Sequence, residues 1–195
     1  PRQGVVLTSA NDGASWTDTR ISLPGMEPQL LDIWASGPGD VHAVGRAYDT
    51  NTASSAALRM RYDGTAWTSA VADSASGLYT VWGAGGTIFA AGYHGAFLAG
   101  DRKGLILSST DGGRTFARTV VAPAVGNFRE FSAAWGASPT SMYLVGTGGG
   151  ILHFDGTRWE ETGAAARTPL SAIWGFSVTS VYAMGGGGAV LHGVR

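Results

Sequence analysis

Short apolar runs separated by glycine, aspartate and serine recur along the whole chain, and four of them share one pattern. They are Leu30-Leu31-Asp32-Ile33-Trp34, Leu78-Tyr79-Thr80-Val81-Trp82-Gly83, Phe131-Ser132-Ala133-Ala134-Trp135-Gly136 and Leu170-Ser171-Ala172-Ile173-Trp174-Gly175. Each is followed by a second run that closes on glycine: Val41 to Gly45, Ile88 to Gly92, Met142 to Gly146 and Val181 to Gly185. The spacing from tryptophan to closing glycine is 11, 10, 11 and 11 residues, a register that chance does not keep. Runs of this length bounded by turn residues predict strands, here the first two (a and b) of a repeated unit.

A second hairpin completes the unit, read from Leu58 to Trp67 and from Ile151 to Trp159. Both carry Asp-Gly (Asp63-Gly64, Asp155-Gly156) between apolar, aromatic-rich runs. This is a strong hairpin signal in which both central residues are expected at positive φ. The repeat tryptophans lie 48, 53 and 39 residues apart, the size of one four-stranded blade of a β-propeller. The expected fold is therefore all-β, a β-propeller of four-stranded antiparallel blades, with about four visible and the first and last incomplete. The expected organisation is one domain, 1–195: a half blade over 1–29, repeats over 30–77, 78–130 and 131–169, and a partial blade over 170–195.

Two further hairpins are one residue longer, Ser9-Ala10-Asn11-Asp12-Gly13-Ala14-Ser15-Trp16 and Ser109-Thr110-Asp111-Gly112-Gly113-Arg114-Thr115-Phe116. They resemble the Asp-box, the Ser-x-Asp-x-Gly-x-Thr-Trp hairpin of bacterial neuraminidase repeats, sortilin-type receptors and photosystem assembly factors. The second copy fits every position up to the closing aromatic residue, where Phe116 stands for tryptophan. The first has Asn11 for aspartate and Ser15 for threonine. The resemblance implies that Ser9, Asn11, Ser109 and Asp111 shape the turns, and that Trp16 and Phe116 fold back between neighbouring sheets. Asp63, Trp67, Asp155 and Trp159 are read in the same structural roles, and Trp34, Trp82, Trp135 and Trp174 as wedges between blades. Because proteins with this motif include enzymes, receptors and assembly factors, it selects a fold and leaves function open.

The first residues align with a third strand, since Gly4-Val5-Val6-Leu7-Thr8 matches Gly104-Leu105-Ile106-Leu107-Ser108, and the last residues stop in one. Joining them would close a ring but supply the third strand twice. A five-stranded last blade, an excerpt of a longer propeller, and two chains completing each other all fit.

Composition narrows the function classes. Glycine fills 31 of 195 positions and only 14% of residues are charged, which fits a tight, turn-rich fold. A formal charge of -1 leaves no positive excess for a phosphate backbone, so nucleic acid is not an expected partner. With no cysteine there are no disulfides or thiolate sites. No apolar run approaches the about 18 residues of a membrane span. His42, His94, His153 and His192 lack metal-ligand spacing, and no cofactor or metal is expected. The chain carries no Gly-x-Ser-x-Gly elbow, phosphate loop or paired-carboxylate motif, and Arg20-Ile21-Ser22 lacks the arginine-isoleucine-proline signature of neuraminidases. Asp32, at a position held elsewhere by Thr80, Ala133 and Ala172, is read as a structural carboxylate, hydrogen-bonded or water-solvated, in preference to a catalytic one lining a central channel.

Two insertions, about Arg46 to Ser55 and Tyr93 to Lys103, fall between strands b and c, on the face of a propeller where loops and ligands gather. They bring Tyr48, Asp49, Asn51, Tyr93, His94, Phe97, Asp101 and Arg102 to one rim, a mixture of rings and short polar groups suited to peptide or sugar recognition. The expected function is a noncatalytic binding or scaffold module with a protein or glycan partner. A lectin with repeated sites and a fragment of a neuraminidase-like glycosidase are the alternatives. An extracellular, cell-surface or periplasmic setting is favoured.

Overall fold

The computed structural model describes residues 2–95, 101–121, 129–166 and 168–194. Its strands fall into five antiparallel sheets that follow one another along the chain. The first holds β1 (Gly4–Thr8) and β2 (Thr17–Ile21). The second holds β3 (Met26–Gly37), β4 (Asp40–Asp49), β5 (Ser54–Tyr62) and β6 (Trp67–Ser74). The third comprises β7 (Ser76–Ala84), β8 (Thr87–His94), β9 (Lys103–Ser109) and β10 (Ala117–Val121), and the fourth β11 (Phe131–Ser138), β12 (Ser141–Gly146), β13 (Gly150–Phe154) and β14 (Trp159–Ala165). The fifth has β15 (Leu170–Ser177), β16 (Ser180–Gly185) and β17 (Val190–Val194). A 3-10 turn at Gly186–Gly188 is the one helical element among the described residues. Within each sheet consecutive strands pair in sequence order, and among the described residues no sheet pairing joins β1–β2 to β15–β17.

The repeated glycines have a steric cause. In the four sheets that contain strands a and b, the ladder between them slips by one residue, between Leu30 and Asp32, Leu78 and Thr80, Phe131 and Ala133, and Leu170 and Ala172. The bulge pushes a carbonyl of strand a into strand b. A Cβ on Gly45, Gly92, Gly146 or Gly185 would collide with the carbonyl oxygen of Gln29, Gly77, Glu130 or Pro169.

The apolar core is divided among the clefts between sheets. Val44, Leu78, Val81 and Leu105 fill the cleft between the second and third sheets, while Phe89, Ile106, Phe131 and Leu144 fill the next. Trp135, Val145, Leu170 and Ile173 fill the one beyond, and Ile21, Ala43, Leu58 and Met60 the first. The strand-a tryptophans bridge these clefts. A Cβ at Gly83 would stand 2.9 Å from Trp34, one at Gly136 2.8 Å from Trp82, and one at Gly175 2.6 Å from Trp135. The glycines after Trp82, Trp135 and Trp174 thus each receive the ring of the preceding sheet's tryptophan.

Two aromatic residues depart from the expected wedge role. Trp174 is 64% exposed and Trp16 59% exposed, because among the described residues no sheet lies on the side towards which each would pack. Phe116, Trp67 and Trp159 do pack against the clefts. The expected turn geometry also needs correction at Asp63 and Asp155. Gly64 (φ 95°) and Gly156 (φ 97°) are left-handed, but neither aspartate is. Instead the Asp63 carboxylate accepts from the Thr65 and Ala66 N–H groups (both 2.9 Å), making a side-chain turn that does not need a left-handed aspartate.

Candidate binding face

By the antiparallel strand order, strands b and c meet at the end of each sheet opposite the a–b and c–d turns, and their lengths there differ between sheets. In the second sheet β3, β4 and β5 run 12, 10 and 9 residues, against 8, 6 and 5 for their counterparts β11, β12 and β13. The segment from Arg46 to Ser55, expected as a loop, is largely a continuation of this ribbon. Pairing persists through Tyr48↔Ser55 to Asp49↔Ser54, leaving a turn at 50–53. Alternating residues keep both flanking strands paired, and Arg46 Nε donates to Gln29 Oε1 (2.7 Å) across the ribbon. At the tip, Asp49 Oδ1 accepts from Asn51 N–H (2.8 Å) and Thr52 N–H (3.3 Å). These donors, the Asn51 N–H foremost, lower the Asp49 carboxyl below its usual range and keep it anionic. Tyr48 (41% exposed) and Asn51 are solvent-facing.

Tyr93 does not stand on the rim as a free ring. It is 2% exposed, seated where a Cβ at Gly77 would come within 2.7 Å of its ring, and its hydroxyl shares a 2.9 Å hydrogen bond with Ser55 Oγ. The reason is a close-packed stack. The Arg102 guanidinium lies 3.8 Å over the Tyr93 ring, and Tyr79 packs against the ring at 5.5 Å. Arg102 Nη1 donates to Glu130 Oε2 (2.8 Å). Ser55, Tyr93 with Arg102, and Glu130 thereby join three successive sheets. Burial, with Glu130 nearby as the next cause, raises the Tyr79 hydroxyl above its usual range.

His94 is half-buried, with its Nδ1 enclosed and unpaired among the described residues. Asp101 is exposed and closes the neck of the second insertion against Gly95, where a Cβ would meet its carbonyl oxygen at 2.8 Å. Phe97 lies outside the described residues. The structure therefore gathers Tyr93, His94, Asp101 and Arg102, and sets Tyr48, Asp49 and Asn51 on the neighbouring ribbon that Ser55 ties to them. Tyr79 and Glu130 were missed. The signal for Tyr79 was present, since the corresponding positions hold Leu31, Ser132 and Ser171.

Other candidates are structural. Asp32 Oδ2 accepts from Val81 N–H of the next sheet (2.8 Å), and Thr80 Oγ1 accepts in the same way from Ala134 N–H (3.1 Å). His153 and His192 repeat one arrangement, ring nitrogens 3.2 and 3.3 Å from Ser141 and Ser180 hydroxyls and rings against Tyr143 and Tyr182. No group of three metal-ligating side chains occurs among the described residues.

No protein-family model and no curated protein matches the chain. Among solved structures it is similar to YCF48 from Cyanidioschyzon merolae, with a TM-score of 0.64 and 14% identity over 98% of this chain and 61% of that one. The fold is a β-propeller. A structure of YCF48 bound to D1 peptide aligns with a TM-score of 0.49 and 17% identity, over 98% of this chain and 72% of that one. The chain thus spans about three fifths of the length of the first of these propellers.

Proposed function

We propose that this propeller segment is a noncatalytic scaffold that binds a protein partner through its b–c and d–a face. One observation carries the reading: the ribbon of β3, β4 and β5 is the longest of its kind, 12, 10 and 9 residues against 9, 8 and 7 for β7, β8 and β9 and 8, 6 and 5 for β11, β12 and β13, so the face is graded from sheet to sheet rather than a ring of equivalent sites. The ribbon tip offers Tyr48, the anionic Asp49 and Asn51. The Ser55–Tyr93–Arg102–Glu130 chain, built on the buried Tyr93 ring, ties its base to the next sheets, a preorganisation that lowers the entropy lost on binding. A repeated-site lectin would need the strand-a tryptophans as platforms, yet Trp135 is 7% exposed and Trp34 and Trp82 are half-buried in clefts.

The test compares the wild-type chain with a Tyr48→Ala/Asn51→Ala variant and an Asn11→Ala variant from the opposite face. Affinity capture with crosslinking and a glycan array would be run on all three. A protein partner retained by Asn11→Ala and lost by the double variant supports the reading. A glycan ligand, or a partner indifferent to the double variant, overturns it.

A further inference from the structure

The cleft between the second and third sheets opens, on the side of the c–d turns, into a groove of about 340 Å³. Its floor is apolar, built from Met60, Val81, Ile88 and Ala90, and its walls carry Arg59, Arg61 and Arg114. Arg59 is out of pattern. Through the b–c ladders it occupies the position of Ile106 and Ile151, which are 1% and 8% exposed in the next two sheets. An arginine thus stands where the repeat places isoleucine against the following sheet. Its guanidinium carbon lies 4.2 Å over the Phe116 ring, and its Nε is enclosed with no hydrogen-bond partner among the described residues.

The nearby carboxylates are already engaged. Asp40 takes Ser36 Oγ (2.6 Å), His42 Nε2 (3.2 Å) and Arg61 Nη2 (3.2 Å). Asp73 pairs with Arg118 at 2.9 Å, and Asp111 is held by Ser109, Thr115 and the Arg114 N–H. Arg114 reaches only a neutral acceptor, the Asp111 carbonyl (2.8 Å). Among the described residues neither Arg59 nor Arg114 has a carboxylate at ion-pair distance, Asp73 acting on Arg59 only from farther off while bound to Arg118, and Arg59 has an enclosed N–H without a hydrogen bond, which costs more than an exposed one.

We propose that this groove binds a carboxylate carried on an apolar body, with Arg59 and Arg114 holding the carboxylate and the aliphatic floor holding the body. The guanidinium fork fits a carboxylate, and the volume lies in the range of small-ligand sites, about 300–1,000 Å³, larger than a bare inorganic anion needs. The site is on the opposite face from the proposed protein-binding surface and does not rest on it.

Calorimetric titration of the full chain with phenylacetate, its neutral isostere phenylacetamide and inorganic phosphate tests this. An Ala-Phe dipeptide and its C-terminal amide distinguish a peptide terminus from a free acid as the source. Saturable binding of phenylacetate or the free dipeptide is expected, reduced at least tenfold by Arg59→Met and measurably by Arg114→Ala, and unchanged by Tyr48→Ala. Arg114 is exposed, so its variant reports even if Arg59→Met fails to fold. Absence of saturable binding by any carboxylate, equal binding of phenylacetamide, phosphate binding as strong as phenylacetate, or indifference to a folded arginine variant would each overturn the proposal.

Discussion

Trp135 packs its ring onto Gly175 of the next sheet, so closely that a Cβ there would stand 2.6 Å from the indole. The same tryptophan type one repeat later, Trp174, meets no such partner among the described residues and is 64% exposed, against 7% for Trp135. Truncation should separate the two. Trp135→Ala should cost about 3–5 kcal/mol, the usual cost of emptying a buried aromatic site. Trp174→Ala should stay within about 1 kcal/mol, as expected of a side chain that fills no cleft. Urea unfolding of both variants measures this, and equal losses would dissolve the wedge assignment.

The closing glycines make a sharper steric case. Gly146→Ala drives a methyl group into the Glu130 carbonyl at the strand bulge, whereas Gly37→Ala meets nothing within 4 Å. The first should destabilise by about 1–3 kcal/mol or more, in the manner of an overpacked core. The second should be near neutral. Thermal unfolding of the pair checks it, and a silent Gly146→Ala would mean that the bulge relaxes.

Asp32 supplies a cross-sheet acceptor that backbone pairing alone leaves missing. Val81 is 5% exposed and its N–H points away from the β7–β8 ladder towards the carboxylate. Asp32→Ala leaves that N–H without its acceptor and should cost about 1–3 kcal/mol. Asp32→Asn keeps an oxygen acceptor and should recover most of the loss. Equal effects of the two, read by urea unfolding, would argue against the hydrogen bond as the reason for this residue.

The fold was largely legible because its determinants are local and repeated. Trp82, Gly92 and Asp63 each sit in a register that recurs several times, and the physics of a bulge or a turn acts within a few residues. The candidate face was less legible because its geometry is set between sheets. Tyr93 reads in sequence as an aromatic residue in a loop, and only the positions of Gly77 and Arg102 show that its ring is enclosed. The segment from Arg46 to Ser55 reads as an insertion, and only its pairing on both sides shows it to be strand. Trp16 and Trp174 were read from their repeats, although packing depends on what lies beside them.

Turn carboxylates should make the protein acid-sensitive. The Thr65 hydroxyl, then the Ala66 and Thr65 N–H groups, hold Asp63 down to about 2, and the Thr115 and Thr157 hydroxyls with adjacent N–H groups hold Asp111 and Asp155 lower still. Unfolded aspartates titrate near about 3.9. A carboxyl whose pKa is depressed by folding stabilises the folded state above its unfolded value. That contribution fades as pH falls through the folded value, so for Asp63 the loss should run from about pH 4 to about pH 2. Asn11 shows that an amide can occupy the same turn, its Oδ1 accepting from Ser15 N–H at 2.9 Å. Asp111→Asn should therefore lower Tm at pH 7 and flatten its fall in acid. A Tm profile parallel to that of the wild type would remove Asp111 from the acid response.

On the candidate face, support and contact should come apart. Tyr93 is buried and reaches across to Ser55, so Tyr93→Phe removes one inter-sheet hydrogen bond and nothing else of the ring. A loss of about 0.5–1.5 kcal/mol in stability follows, the usual net worth of such a bond. Tyr48 is exposed at the ribbon tip, and Tyr48→Ala should leave stability within about 0.5 kcal/mol of the wild type. Affinity for the partner should respond in the opposite order. Tyr48→Ala removes a contact and should weaken binding strongly. Tyr93→Phe should weaken it only as far as the ribbon loses its fixed position relative to β8. Urea unfolding and partner affinity measured on the same two proteins decide this, and a Tyr48→Ala variant that binds normally would move the contact surface away from the ribbon.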